Sequence, residues 1–246
     1  MTHSTTDDLW GLTDRLKSEM SAGGVADAAH FDEAPVQALL AKHDALRYPY
    51  TCSFGRADLR VDRGVFCPTL THASPLLLQA IDFQPGERVL DVFSGSGAFG
   101  INAALHGARS VVTIDIALAA VGCTRKNARR NRVRRTVDAR LGTMRQCLAP
   151  LEQFDLILAN PPLLPGIPTT DLAAAVFDPG LQATIDFIGA LPAHLAAGGR
   201  CYLLTSSVIE RYGYDVDQLC IAQGLTSEVV LKADASYECY RVHKIT

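Results

Sequence analysis

The residues best suited to chemistry lie in one run, Arg88-Val89-Leu90-Asp91-Val92-Phe93-Ser94-Gly95-Ser96-Gly97-Ala98-Phe99-Gly100. An apolar stretch that ends in an acid is followed by Gly95-x-Gly97-x-x-Gly100, the pattern of a strand turning sharply into a helix. Glycines there let the backbone approach a ligand at distances a Cβ forbids. Asp91 stands four residues before the first glycine. At that place an anion repels a pyrophosphate and attracts a cationic amine. The next apolar run, Val111-Val112-Thr113-Ile114, ends at Asp115, whose carboxylate can accept both hydroxyls of a ribose. The two acids therefore fit an adenosine joined to an amino acid, S-adenosylmethionine, better than a nicotinamide dinucleotide.

A second run, Phe154-Asp155-Leu156-Ile157-Leu158-Ala159-Asn160-Pro161-Pro162-Leu163, reads as a buried strand that stops at two prolines. Ligands of open α/β sheets bind beyond the carboxyl ends of strands, so Asn160 is expected beside the glycine loop. Its amide oxygen and the Pro161 carbonyl are acceptors able to hold a substrate N–H with the nitrogen lone pair aimed at a transferable methyl group. Alignment of that kind supplies much of the rate of an in-line displacement.

The elements that must position these residues follow from the patterning. Leu9, Leu12, Leu16 and Met20 recur at helical spacing, and a second helical stretch from Pro35 places Val36, Leu39, Leu40 and Leu46 on one face. Alternation from Tyr48 to Pro68 predicts a linking hairpin, with Gly55 as a turn. Beyond it strands are expected at Arg88–Phe93, Ser110–Ile116, Thr136–Leu141, Phe154–Asn160 and Arg200–Ser206. Helices are expected at Ala98–His106, Ala117–Asn131, Leu181–Leu195 and Val208–Gln223, with a closing antiparallel pair at Ser227–Ala233 and Tyr237–Ile245. This is an α/β, Rossmann-like, doubly wound seven-stranded sheet, mostly parallel with one antiparallel strand. Residues 1–47 form a helical cap expected to cover the active site. Residues 48–246 form the S-adenosylmethionine-binding domain, hairpin included.

Composition narrows the function classes. A hydrophobic fraction of 48% in 246 residues supports one well-buried core, and a net charge of −3 gives the chain no overall pull toward nucleic acid or membrane. Met1 to Leu12 carries Asp7 and Asp8 and no apolar run, so a signal peptide is not expected and a cytoplasmic location is. Seven scattered cysteines without a C-x-x-C pair read as reduced, mostly buried thiols, and no cluster has metal-ligand spacing. A basic run, Arg125, Lys126, Arg129, Arg130, Arg132, Arg134 and Arg135, is expected on the outer face of a helix whose buried face is Ala117, Ala120, Val121, Thr124 and Ala128. His72 and His194 pair with no readable carboxylate, and Tyr48, Tyr50, Phe54 and Phe177 are candidate walls of a substrate pocket.

Residues 48–207 resemble the class I protein-(glutamine) N5-methyltransferases that modify release factors, and the related small-domain methyltransferases acting on ribosomal protein and RNA. Besides Asp91–Gly100, Asp115 and Asn160-Pro161-Pro162, the match includes Gly64-Val65-Phe66-Cys67-Pro68, Thr71, Gly180-Leu181 and Leu195–Arg200. The resemblance implies S-adenosylmethionine contacts from Asp91, Phe93, Ser94, Gly95, Gly97, Gly100, Asp115, Ile116 and Asn160. It places Asn160, Pro161, Pro162 and Leu163 at the reacting group. Leu163 stands where the family carries a stacking aromatic, which suggests a rounder, aliphatic acceptor. The expected activity is N-methylation of an amide or amine, on a small molecule or a protein side chain. Two alternatives use the same cofactor: methylation of an RNA base, and cyclisation or lysis of S-adenosylmethionine itself with release of methylthioadenosine. A cofactor-binding regulatory subunit is a fourth reading, which the intact Asn-Pro-Pro run argues against.

Overall fold

In a computed structural model the described residues are 34–235 and 238–246. The helical stripe from Leu9 to Met20, and with it most of the expected cap, lies outside them.

Helix α1 (Ala34–Asp44) leads into a two-stranded antiparallel sheet, β1 (Tyr50–Phe54) and β2 (Ala57–Val61). The helix is tied down through His43, which is fully buried. Its Nδ1–H donates to the Leu39 carbonyl, so Nε2 is left to accept the Cys67 N–H at 3.0 Å. Burial holds this imidazole below its usual pKa, consistent with the neutral form that the two bonds require. The outer edge of β2 is closed by asparagines rather than by another strand. Asn127 accepts from the Arg60 N–H and donates to the Arg60 carbonyl, and Asn131 does the same with Asp58. Four helical residues rise about 6 Å and two strand residues about 6.6 Å, so an i, i+4 pair matches alternate strand residues. Asn102 completes the closure with the Phe54 carbonyl and the Arg56 N–H.

The main sheet carries seven strands: β3 (Arg88–Val92), β4 (Ser110–Asp115), β5 (Val137–Leu141), β6 (Phe154–Ala159), β7 (Leu195–Ser206), β8 (Ser227–Asp234) and β9 (Cys239–Ile245). Their order is β5-β4-β3-β6-β7-β9-β8, all parallel except β9. The doubly wound class expected from the sequence is thus observed. The order reverses at β3, from which the chain runs outward to β5 and then returns to the other side with β6. The crevice beyond the carboxyl ends of β3 and β6 is the switch point where such sheets hold ligands.

Alternate strand residues feed two apolar layers. Val89, Val111, Leu156, Leu158 and Leu204 pack with α2 (Ala73–Ala80) and α3 (Ala98–Leu105). Leu90, Val92, Ile114, Ile157 and Leu203 pack against Phe187, Ile188 and Leu191 of α7 (Gln182–His194), which α4 (Leu118–Arg130), α5 (Met144–Cys147) and α6 (Asp171–Ala174) precede in the chain. Of the expected buried face, Ala120, Val121, Thr124 and Ala128 are buried on α4, joined by Cys123 and Asn127, whereas Ala117 stands half-buried at the helix cap; all seven basic residues of the run are exposed. All seven cysteines are free thiols.

Three expectations are corrected. The strand after Arg88 stops at Val92, because Phe93 adopts a left-handed conformation with φ 59°. The single helix over Val208–Gln223 is two, α8 (Val208–Arg211) and α9 (Val216–Ala222). Gly213 breaks it at φ 82°, and the Asp215 carboxylate caps the second piece through the Asp217 and Gln218 N–H groups. Helix α2 was not expected at all. None of the described helices is long and apolar enough to cross a membrane.

Candidate active site

The glycine loop is built by its own neighbours. From the left-handed Phe93 the chain turns so that the Ser94 N–H donates to the Ile114 carbonyl of β4, and the Gly97 N–H to the Ser94 carbonyl. Gly97 caps α3 at φ 78°, and a Cβ there would stand 2.7 Å from the Thr124 methyl group. Thr124 needs that closeness, since its hydroxyl donates to the Gly95 carbonyl at 3.1 Å. At Gly100 a Cβ would meet Thr113 at 2.7 Å and the Asp91 carboxylate at 3.1 Å. Gly95 is different: with φ 53°, a Cβ on it would point into open space. Two glycines thus serve packing, and one opens the cradle.

Both acids take part in that cradle. Asp115 accepts the Gly95 N–H at 2.8 Å on one oxygen and the Ala117 N–H at 2.9 Å on the other. Burial raises its pKa, and these backbone donors oppose the rise. Asp91 is fully buried. Its Oδ2 accepts the Gly100 N–H at 2.8 Å, while Oδ1 has no hydrogen-bond partner among the described residues. Burial is the main cause that pushes its pKa up to about 7, with the nearby Asp115 charge adding to the shift. A buried carboxylate oxygen without a donor is costly and calls for one.

Beyond the ends of β4 and β5 three large aliphatic side chains face outward: Ile116 is 67% exposed, Leu118 70% and Leu141 50%. Apolar surface gathered beside Asp115 fits the flat face of an adenine better than it fits water. The orphaned Asp91 oxygen, the open side of Gly95 and this apolar shelf suit the amine, backbone and base ends of S-adenosylmethionine respectively.

Across the switch point, Val92 pairs with Ala159, so Asn160 emerges next to the turn that begins at Phe93. The Asn160 side-chain N–H donates to the Ser74 hydroxyl at 3.2 Å. That bond turns the amide so that its oxygen carries no protein hydrogen bond among the described residues. Ser74 is fully buried on α2, and nothing in the sequence marked it as part of this site. Pro161 and Pro162 are buried and Leu163 is half-buried. Pro162 and Leu163 line a small cavity with Leu181, Thr184, Thr205, Ser206 and Ile209.

Of the expected aromatic walls, Tyr48, Tyr50 and Phe54 pack elsewhere. Phe54 is core, edge-to-face with Phe99 at 5.6 Å, and the Tyr48 hydroxyl donates to the His43 carbonyl. Phe177 lies against Gly166 in the loop that follows Leu163. Phe93 is near Phe187, with ring centroids 6.0 Å apart. His194 bonds the Glu152 carbonyl and His72 is exposed, so neither histidine enters the site.

The family model described as Methyltransferase small domain matches residues 56–212. The chain belongs to that family. Its cofactor is S-adenosylmethionine, as the paired acids and the resemblance had suggested. Among curated relatives, a ribosomal protein L11 methyltransferase of Symbiobacterium thermophilum is 39% identical over 115 residues, covering 45% of this chain and 36% of the relative. That of Geobacillus kaustophilus is 29% identical over 175 residues, covering 70% and 49%. The chain thus spans between a third and a half of the length of these relatives. A solved 16S rRNA N2 methyltransferase of T. thermophilus, in complex with AdoMet and guanosine, superposes with a TM-score of 0.58 at 23% identity, over 79% of this chain and 49% of that one. At that identity the likeness concerns the fold.

Proposed function

We propose that the small-domain methyltransferase described here transfers a methyl group from S-adenosylmethionine to an acceptor nitrogen held by Asn160. The observation that carries this reading is the Asn160 amide, turned by Ser74 so that its oxygen is left open beside the glycine loop.

In this reading Asp115 holds the ribose hydroxyls, the glycine loop with Phe93 and Ser94 follows the methionyl backbone, and the free Asp91 oxygen faces the amine. Ile116 lies against the base. The bound cofactor supplies an electrophilic methyl group. The chain's own residues then do the aligning: the Asn160 oxygen and the Pro161 carbonyl accept N–H bonds from the acceptor, which directs its lone pair. Pro162 and Leu163 close the aliphatic wall around it and keep water away. The relatives named for ribosomal protein L11 support a protein side chain as acceptor, with a small amine or amide as the simpler case.

Methylation of an RNA base is the second reading. It is favoured by Arg129, Arg130, Arg132, Arg134 and Arg135, all exposed, on and just beyond the end of α4, and by the rRNA enzyme among the structural neighbours.

The test is a product assay with the full chain and S-adenosylmethionine, alone and with ribosomal protein L11, 16S rRNA or a simple alkylamine added. S-adenosylhomocysteine is expected only when a nitrogen acceptor is present, and the acceptor that works identifies the class. Asn160→Ala should lower that rate by roughly 10²–10³ and weaken cofactor binding far less. Methylthioadenosine from cofactor alone would overturn the transfer reading in favour of cyclisation or lysis.

A further inference from the structure

One buried acid remains outside the site just described. Glu238, at the entry to β9, is 7% exposed. Its Oε1 accepts the Tyr240 hydroxyl, and its Oε2 is buried with no hydrogen-bond partner among the described residues. Burial raises its pKa, while Tyr240, Ser206 and the more distant Arg211 charge work against the rise. No ion pair within 4 Å neutralises it among the described residues.

The place of this acid in the sheet is informative. Strand β9 is antiparallel to β7, so its beginning lies at the carboxyl edge, where the ligand crevice is. Ser206 pairs with Tyr240 across β7 and β9, and Ser206 also lines the cavity that Pro162 and Leu163 open onto. Leu163 packs against the same apolar cluster as Tyr240 and Ala235, which flank Glu238 in the sequence. Asn160 and Glu238 therefore stand at opposite ends of one stretch of edge. Two strand spacings separate them across the sheet, roughly 10 Å, and Glu238 lies further up the edge.

We propose that Glu238 is a specificity residue, binding an ammonium group on the acceptor at a point remote from the nitrogen held by Asn160. The inference rests on the methyltransferase reading and adds the acceptor's chemical class. An ammonium fits because only one oxygen lacks a hydrogen-bond partner. A guanidinium is matched by two parallel acceptors, whereas an ammonium is a compact point charge satisfied by one. A neutral hydroxyl would recover a hydrogen bond but leave the buried charge uncompensated.

The test uses the full chain saturated with S-adenosylhomocysteine and titrated, by NMR, with pentylamine, pentan-1-ol and methylguanidine. Pentylamine should bind at least tenfold more tightly than pentan-1-ol and more tightly than methylguanidine. Glu238→Gln keeps an acceptor for the Tyr240 hydroxyl but loses the charge, so the preference should fall to near parity. Tyr240→Phe keeps the charge and should retain the preference, which a merely structural role for the pair would not predict. If Glu238→Gln does not fold, Glu238→Asp serves instead. It withdraws the charge by one methylene and should weaken the preference. Equal binding of amine and alcohol by the natural chain, a preference for methylguanidine, or a preference that survives Glu238→Gln each overturns the proposal. S-adenosylhomocysteine failing to bind the natural chain would instead count against the methyltransferase reading beneath it.

Discussion

The two halves of the carboxyl edge are built on opposite plans. On the side of β3 and β4 the polar groups of the glycine turn are largely satisfied by the turn itself and the adjoining end of β4 and α4: Asp115 is engaged at both oxygens, Ser94 bonds the Ile114 carbonyl, Gly95 bonds Asp115 and Thr124, and Gly97 bonds the Ser94 carbonyl. On the side of β6, β7 and β9 the polar groups come from distant segments and are left partly without protein partners among the described residues, as with the Asn160 amide oxygen and the second oxygen of Glu238. A cofactor common to a whole family suits the first plan, which fixes a cradle by local geometry. An acceptor that differs between relatives suits the second, in which single side chains on a rigid sheet edge can be exchanged without disturbing the loop.

Asp91 is the point where the first plan is incomplete, and it supplies the largest effect by which the contrast can be tested. Its carboxyl ionises near 3.9 when unfolded and near 7 in the folded, ligand-free protein. The folded pKa is the higher one, so the contribution to stability is fully present below about pH 4. It is lost as pH rises toward 7 and is constant above that. Urea denaturation of the ligand-free chain should show Asp91 costing on the order of 2–3 kcal/mol more at pH 8 than at pH 5, a slope that Asp91→Asn removes. If the slope is the same in both proteins, the orphaned oxygen has found a donor and the cradle is complete without ligand.

Much of this contrast was legible in the sequence, and unevenly so. The cofactor half could be read because a glycine turn flanked by acids is a local pattern: Asp91, Gly95, Gly97, Gly100 and Asp115 lie within 25 consecutive residues. The acceptor half was read only at Asn160-Pro161-Pro162-Leu163. Ser74 sits on a helix that short apolar runs with an internal proline do not announce. Ser206 lines the cavity from the end of β7, and Glu238 reaches the same edge only because β9 inserts antiparallel between β7 and β8. The division of Val208–Gln223 was missed for a local reason, since a lone glycine in an apolar pattern is tolerated in many helices. Here Gly213 is left-handed and Asp215 starts a new helix.

The smallest expected effect concerns the face farthest from either plan. Replacing Arg129, Arg130 and Arg132 together with Gln should change turnover by less than about twofold, the scale of surface substitutions that break no buried contact. A large loss on an RNA acceptor, relieved or deepened by salt, would make this basic face part of the substrate site and advance the RNA-base reading.

The central claim is that S-adenosylmethionine is held by the turn after β3 and the acid at the end of β4. Calorimetric titration of the cofactor into the natural chain and into Asp115→Ala tests it most directly. The account predicts saturable one-to-one binding, weakened in the variant by about 1.5–3 kcal/mol, the worth of hydrogen bonds to a charged group. Equal affinity in the two folded proteins, or no binding by either, would contradict it.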